Sequence, residues 1–256
     1  MNMLAPLVLS AAFGLPATAT AATPDPSTDT RPTVVLVHGA FADGSSWNKV
    51  IPLLQAEGLN AIAVQNPLTS LEDDVAFANR VINAQPGPVV LVGHSWGGSV
   101  ITQAGGHDKV KALVYVAAFA PSLNAAPVAD TADFPSPPGF AHFIADADGY
   151  LTLPADAIAR DFAQDVSAKE ANLIHATQGA VRGANFEQPV TVAAWTSKPS
   201  WYIVAANDRM IDPGAQRALA EKIGATTTEL PTSHVPMLSS PEAVAKVIIE
   251  AARAAR

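Results

Sequence analysis

Short β-branched and aliphatic runs recur along this chain at 33–37, 61–65, 88–92, 110–117, 200–206 and 226–230. Runs of this length and continuity predict strands, mostly buried on both faces rather than half-exposed ones with alternating polarity. Between the runs the spacing switches to that of a helix. Trp47, Val50, Ile51 and Leu54 predict a helix over 46–57, with Gly58 placed to cap its end. Val75, Ala78, Val81 and Ile82 mark one face of a helix over 70–83, which Ser70 and Asp73 start as a capping box. Further helices follow at 95–105, 214–223 and 240–252, the last with Ser240 as N-cap and Pro241 in the first turn. Strands that alternate with helices imply an α/β fold: a mostly parallel sheet of about six strands, covered by helices on both faces.

Two stretches depart from this rhythm. Residues 121–198 are rich in Ala and Pro and lack a clear buried strand. Short helices at 155–165 and 168–177 and a loop at 135–139 make this insertion a cap over the sheet. The other is the N-terminus, where Met3 to Leu15 are almost all apolar and small residues fill 17–22. That is the form of a secretory signal over 1–22, cut after Ala19 or Ala21, and it predicts a secreted or periplasmic protein. The apolar run is shorter than the roughly 20 residues a bilayer span requires, so no stable membrane insertion of the mature chain is expected. Residues 23–32, with Pro24, Pro26 and Pro32, read as a disordered leader, and the domain is expected to occupy 33–256.

Composition narrows the function. With 15 Lys and Arg against 23 Asp and Glu, the net charge of −8 opposes general binding to nucleic acid or anionic membranes. The absence of Cys excludes thiol nucleophiles, disulfides and Cys-based metal sites. No spacing of His and carboxylates suits a metal, and no Gly-x-Gly-x-x-Gly follows the first strand, so neither metal nor cofactor is expected. Oligomeric state leaves no trace in the sequence.

The chemistry centres on Gly93-His94-Ser95-Trp96-Gly97-Gly98, a Gly-x-Ser-x-Gly pattern between a predicted strand and a predicted helix. A Ser at so sharp a turn projects its hydroxyl above the sheet, and the flanking glycines relieve crowding. A nucleophile of this kind needs an oxyanion hole. The N–H of Trp96 and that of Ala40, in the loop His38-Gly39-Ala40-Phe41 after the first strand, are the expected donors, with Phe41 the rival to Ala40 and more apt to line the acyl pocket. Chain order then places an acid and a His downstream. His234, between the last strand and the closing helix, is the expected base; Asp208, after the strand at 200–206, is the expected acid, with Asp212 as the alternative. His38, His94 and His107 are expected to serve packing or surface roles. His142 and His175, in the insertion, are candidates to touch substrate, as are Phe134, Phe140, Phe143, Ile144, Leu151 and Phe162.

In their order and context these motifs resemble the α/β-hydrolase superfamily. The shared phrases are Val-Leu-Val-His-Gly-Ala at 35–40, Val-Gly-His-Ser at 92–95 and Pro-Ser-Trp-Tyr-Ile-Val-Ala at 199–205, leading to Asp208. They look most like small-molecule esterases related to plant methyl-ester esterases and hydroxynitrile lyases. The resemblance implies a sheet of eight strands, reduced here to about six, and a helical cap. It also implies cleavage of a small or medium apolar ester through an acyl-enzyme on Ser95. Lyase relatives carry Thr at the place of Gly39 and Lys at that of Val235, and both departures point to hydrolysis. A perhydrolase or cofactor-free haloperoxidase, and a binding protein with an idle triad, share the same motifs.

Overall fold

The structure is a computed structural model that describes residues 31–255. The expected signal, 1–22, and residues 23–30 of the expected leader lie outside the described residues. In chain order the first half comprises β1 (Thr33–Val37), α1 (Ile51–Ala56), β2 (Ala61–Val64), α2 (Leu71–Asn83), β3 (Val89–His94), α3 (Gly97–Ala104) and β4 (Val110–Val116). The insertion contributes β5 (Ile144–Ala145), β6 (Tyr150–Thr152), α4 (Ala155–Ala157), α5 (Ala168–Thr177) and β7 (Val181–Arg182). The chain closes with β8 (Ser200–Ala205), α6 (Pro213–Lys222), β9 (Thr226–Leu230), α7 (Pro236–Ser239) and α8 (Pro241–Ala254).

Six strands form one sheet in the order β2-β1-β3-β4-β8-β9, and every neighbouring pair is parallel. The inner strands β1, β3 and β8 are buried at every position, as their unbroken apolar sequences require; β9, an edge strand of sequence Thr-Thr-Thr-Glu-Leu, is largely exposed. From β1 the chain steps outward to β2, then returns across β1 to β3. Right-handed crossovers that run in opposite directions leave α1 and α2 on opposite faces. The α2 helix packs on α3, and α1 packs on α8. This reversal makes the β1/β3 boundary a topological switch point, where the loops at the strands' carboxyl ends part to leave a crevice.

The expected helix over 46–57 is two pieces: a 3-10 turn at Gly44–Trp47 and α1 from Ile51. Pro52 accounts for the break, because its ring tolerates only the first turn of a helix. Ser70 caps α2 by accepting the N–H of Asp73, but the expected box is not closed: the Asp73 carboxylate accepts the Ser70 hydroxyl instead of the Ser70 N–H. Ser240 stands at the N-cap of α8, with Pro241 after it, but makes no side-chain capping bond. The insertion holds a feature absent from the sequence reading, a three-stranded antiparallel sheet in the order β5-β6-β7. Strands of two or three residues carry too few positions for any period to register.

Candidate active site

The parallel sheet sends every strand's carboxyl end to one rim. The loops after β1, β3, β8 and β9 carry Ala40, Ser95, Asp208 and His234, so four distant stretches of chain converge there.

Ser95 follows β3 directly and takes a left-handed φ of +53°. Such a conformation is rare for a residue with a Cβ and is held by its surroundings. Its N–H donates to the Val116 carbonyl, and its own carbonyl accepts from Gly98 and Phe119. The glycines around it answer to space. A Cβ on Gly93 would lie 2.5 Å from the Gly97 carbonyl oxygen, and one on Gly97 would lie 2.7 Å from that of Val37.

His234 is buried, and its Nδ1 lies 2.6 Å from Asp208 Oδ2. Asp208 is itself buried and held from three other sides. The N–H groups of Met210 and Ile211 donate to Oδ1 at 2.7 and 3.1 Å, and Gln216 Nε2 donates to Oδ2 at 2.6 Å. With its oxygens so engaged, the carboxylate fixes the imidazole's tautomer and leaves Nε2 as the free ring nitrogen. Asp212 has the other role weighed for it: its side chain caps α6 through the N–H groups of Gly214 and Ala215.

No direct hydrogen bond joins Ser95 to His234 among the described residues. They are brought together through His94, the residue preceding Ser95. The His94 ring lies 4.8 Å from that of His234, and its Nε2 is 2.7 Å from the His234 carbonyl oxygen. Catalytic hydrogen bonds in ligand-free sites are often long and tighten when substrate binds. His94 is thus more than packing: it ties the loop of His234 to the turn that carries Ser95. Burial and the neighbouring His234 hold its pKa well below the ordinary histidine value, so it stays neutral. His38 is also neutral, its pKa lowered by burial, and it is bonded to Gly39 and Asn66, which agrees with a structural role.

The buried N–H groups of Ala40, Phe41 and Trp96 have no acceptor among the described residues. Buried donors without partners are rare, and these three stand in the loops that follow β1 and β3, on the same rim as Ser95. Around them lies an aromatic wall. Phe41 stacks on Phe143 at 5.1 Å and meets Phe162 edge-on at 6.4 Å, and Phe162 packs on His234 at 5.2 Å. Of the three residues expected to line the pocket, Phe41 and Phe143 come together. His175 does not join them; it stands exposed on α5. Ile144 is exposed as well, and His142 lies 3.7 Å from Asp161 at the cap's edge. A cavity of about 200 Å³ opens between cap and core, walled by Phe119, Phe134, Phe140, Met210 and Ile211.

Several residues that shape the site were not singled out from the sequence. Gln216 is a polar residue on the buried face of an amphipathic helix, and that misfit was the available signal. Asp74, Asp161, Gln164 and Asp165 resemble ordinary surface residues of helices and turns, and only their neighbours distinguish them. Among the described residues no cluster of His and carboxylates could hold a metal ion, and no helix is long and apolar enough to cross a membrane.

Known proteins share this architecture. A probable hydrolase of Phoma sp. is 28% identical over 252 residues, covering 87% of this chain and 99% of its own length. The pyrethroid hydrolase of Sphingobium wenxiniae is 25% identical over 252 residues, or 86% of this chain and 88% of its own. The crystal structure of polyneuridine aldehyde esterase superposes with a TM-score of 0.73 at 21% identity, covering 86% of this chain and 98% of that one. The alpha/beta hydrolase family model matches residues 34–247, and the chain belongs to that family.

Proposed function

We propose that this hydrolase cleaves carboxylic esters of small or medium apolar compounds through an acyl-enzyme on Ser95. The observation that carries the reading is the buried His234–Asp208 pair, 2.6 Å apart, whose loop is bonded to the residue preceding Ser95. In the first half-reaction His234 takes the Ser95 proton as Oγ attacks the ester carbonyl, and Asp208 stabilises the imidazolium. The N–H groups of Ala40 and Trp96 receive the developing oxyanion, each contributing about 3–4 kcal/mol to the transition state. His234 then returns the proton to the leaving alcohol. Water attacks the acyl-enzyme in the same manner, and the acid departs.

Gly39 bears on the class of reaction. A Cβ at this position would lie 2.7 Å from the Ser95 Cβ, so this rim does not accommodate the Thr of the lyase relatives without a shift. Relatives named as an esterase and as a pyrethroid hydrolase support the same direction. The aromatic wall of Phe41, Phe143 and Phe162 suits an apolar group.

A series of nitrophenyl esters of increasing acyl length, given to wild type and Ser95→Ala, tests the reading. The expected outcome is turnover that peaks at short to medium chains and falls by several orders of magnitude in the folded variant. Esterase activity that survives in clean Ser95→Ala protein would show that another residue is the nucleophile.

A further inference from the structure

Asp74, on α2, is a buried carboxylate that the reaction above does not use. Its side chain is fully buried, and each oxygen accepts one hydrogen bond from a neutral donor. Oδ2 takes the indole N–H of Trp96 at 2.7 Å, and Oδ1 takes the backbone N–H of Leu68 at 2.8 Å. Leu68 sits at a φ of +61°, and its carbonyl receives Asn185 Nδ2 and the Arg182 N–H from the insertion. The indole of Trp96 is fully buried and meets Phe186 edge-on at 5.6 Å. The backbone N–H of this same Trp96 is one of the two oxyanion donors assigned above.

We propose that Asp74 is a positioning residue of the oxyanion hole, holding the indole of Trp96 so that the backbone N–H of Trp96 keeps its aim at the substrate carbonyl oxygen. The inference rests on the ester-hydrolysis reading of the preceding subsection. Packing alone would seat an apolar side chain at position 96 without burying a charge, and a buried charge without a countercharge is retained only against a cost. Both partners of Asp74 are donors, so the ionised carboxylate is the form that satisfies both. An amide in its place turns an N–H toward one of them, and a protonated acid adds a buried hydrogen that needs an acceptor of its own.

The environment makes this carboxylate titrate in an accessible range. Burial, the largest effect, pushes its pKa up to about 6 against the pull of the Trp96 and Leu68 hydrogen bonds. Asp73, its neighbour on α2, adds a smaller push in the same direction and is the one charged group acting on it; the elbow at Trp96 and the turn at Leu68 present only N–H donors.

Wild type, Asp74→Asn, Trp96→Phe and the double variant, assayed on a short nitrophenyl ester at pH 8, provide the test. Trp96→Phe keeps the backbone N–H and removes only the indole donor. Each single variant is expected to lose about tenfold or more in kcat with KM within about twofold, part of the 10²–10³ that a whole oxyanion donor is worth. The double variant is expected to fall no further than the worse single one, because both remove the same device. In wild type, the indole N–H resonance that disappears in Trp96→Phe is expected to shift with a midpoint near pH 6. If Asp74→Asn does not fold, Trp96→Phe and this titration still decide. A wild type that hydrolyses the ester while the folded variants match its kcat, additive losses in the double variant, or an indole signal flat across pH 6 each overturn the role of Asp74. A wild type that neither turns over ester nor is labelled at Ser95 by a fluorophosphonate overturns the ester-hydrolysis reading instead.

Discussion

Asp208 and Asp74 are both buried carboxylates, and their partners set them apart. Asp208 faces His234, so in the proposed mechanism the imidazolium meets a countercharge already in place. Asp74 makes no ion pair among the described residues, and its pKa rises to about 6, chiefly through burial. The sign of the consequence for stability follows. A carboxyl whose folded pKa lies above its unfolded value holds its proton more tightly in the native state, so the native state gains as pH falls from about 6 toward 4 and loses as pH rises through that window. A shift of about two pH units corresponds to a loss on the order of 3 kcal/mol. Chemical denaturation of wild type and Asp74→Asn between pH 4 and 8 should show the stability difference moving in favour of the variant as pH rises. A difference independent of pH would mean that Asp74 does not titrate in this range.

At the scale of elements, the cap is an active part of the site. Residues Ile158–Phe162 form a π-helical turn, closed by the bond from Ala163 N–H to the Ile158 carbonyl, and such turns occur often at functional sites. The turn and the residues just after it grip the neighbours of both Asp208 and His234. Asp161 accepts from Arg209 Nε at 2.7 Å, and Gln164 donates to the Asn207 carbonyl at 2.7 Å, one on each side of Asp208. Asp165 accepts the Ser233 N–H at 2.6 Å, immediately before His234. Phe162 packs between these staples on the His234 ring. Asp165→Ala frees the His234 loop without opening the core. It should lower kcat about tenfold, a fraction of the roughly 10²-fold that an ångström of misplacement can cost. Thermal melting and steady-state kinetics on the same sample check this: a fall in Tm with kcat intact would assign Asp165 to the fold alone.

For the whole molecule, a parallel sheet collects the loops of four strands at one rim, and the insertion roofs it. The net charge of −8 opposes general electrostatic attraction to nucleic acid or anionic membranes. We propose that the apolar segment at 3–15 is a secretory signal that sends the same molecule to export. Expression of the full chain in a Gram-negative host should yield an exported protein that begins at Thr20 or Ala22 by N-terminal sequencing. A cytoplasmic product that retains Met1 would reject the signal.

The strands and their order of appearance were legible from the sequence, because a strand buried on both faces has to be apolar throughout, as Val89–Val92 and Ile203–Ala205 are. The strained turn at Ser95 was legible for a similar reason: a turn that sharp requires glycine where Gly93 and Gly97 meet backbone. Other features were illegible because their meaning lies in partners far along the chain. Nothing local separates Asp74 from Asp73, yet one is buried against Trp96 and the other accepts the hydroxyls of Thr69 and Ser70 in solvent. Nothing local marks Asp165 as the anchor of residue 233, or Gln216 as a support for Asp208. The sequence by itself determined the layered α/β architecture and the kinds of residue at the sheet's rim, since both follow from local pattern and backbone sterics. Tertiary structure alone decided which buried carboxylate faces the imidazole, which faces an indole, and how the cap holds the loops between them, because those are matters of distance between segments that have no pattern in common.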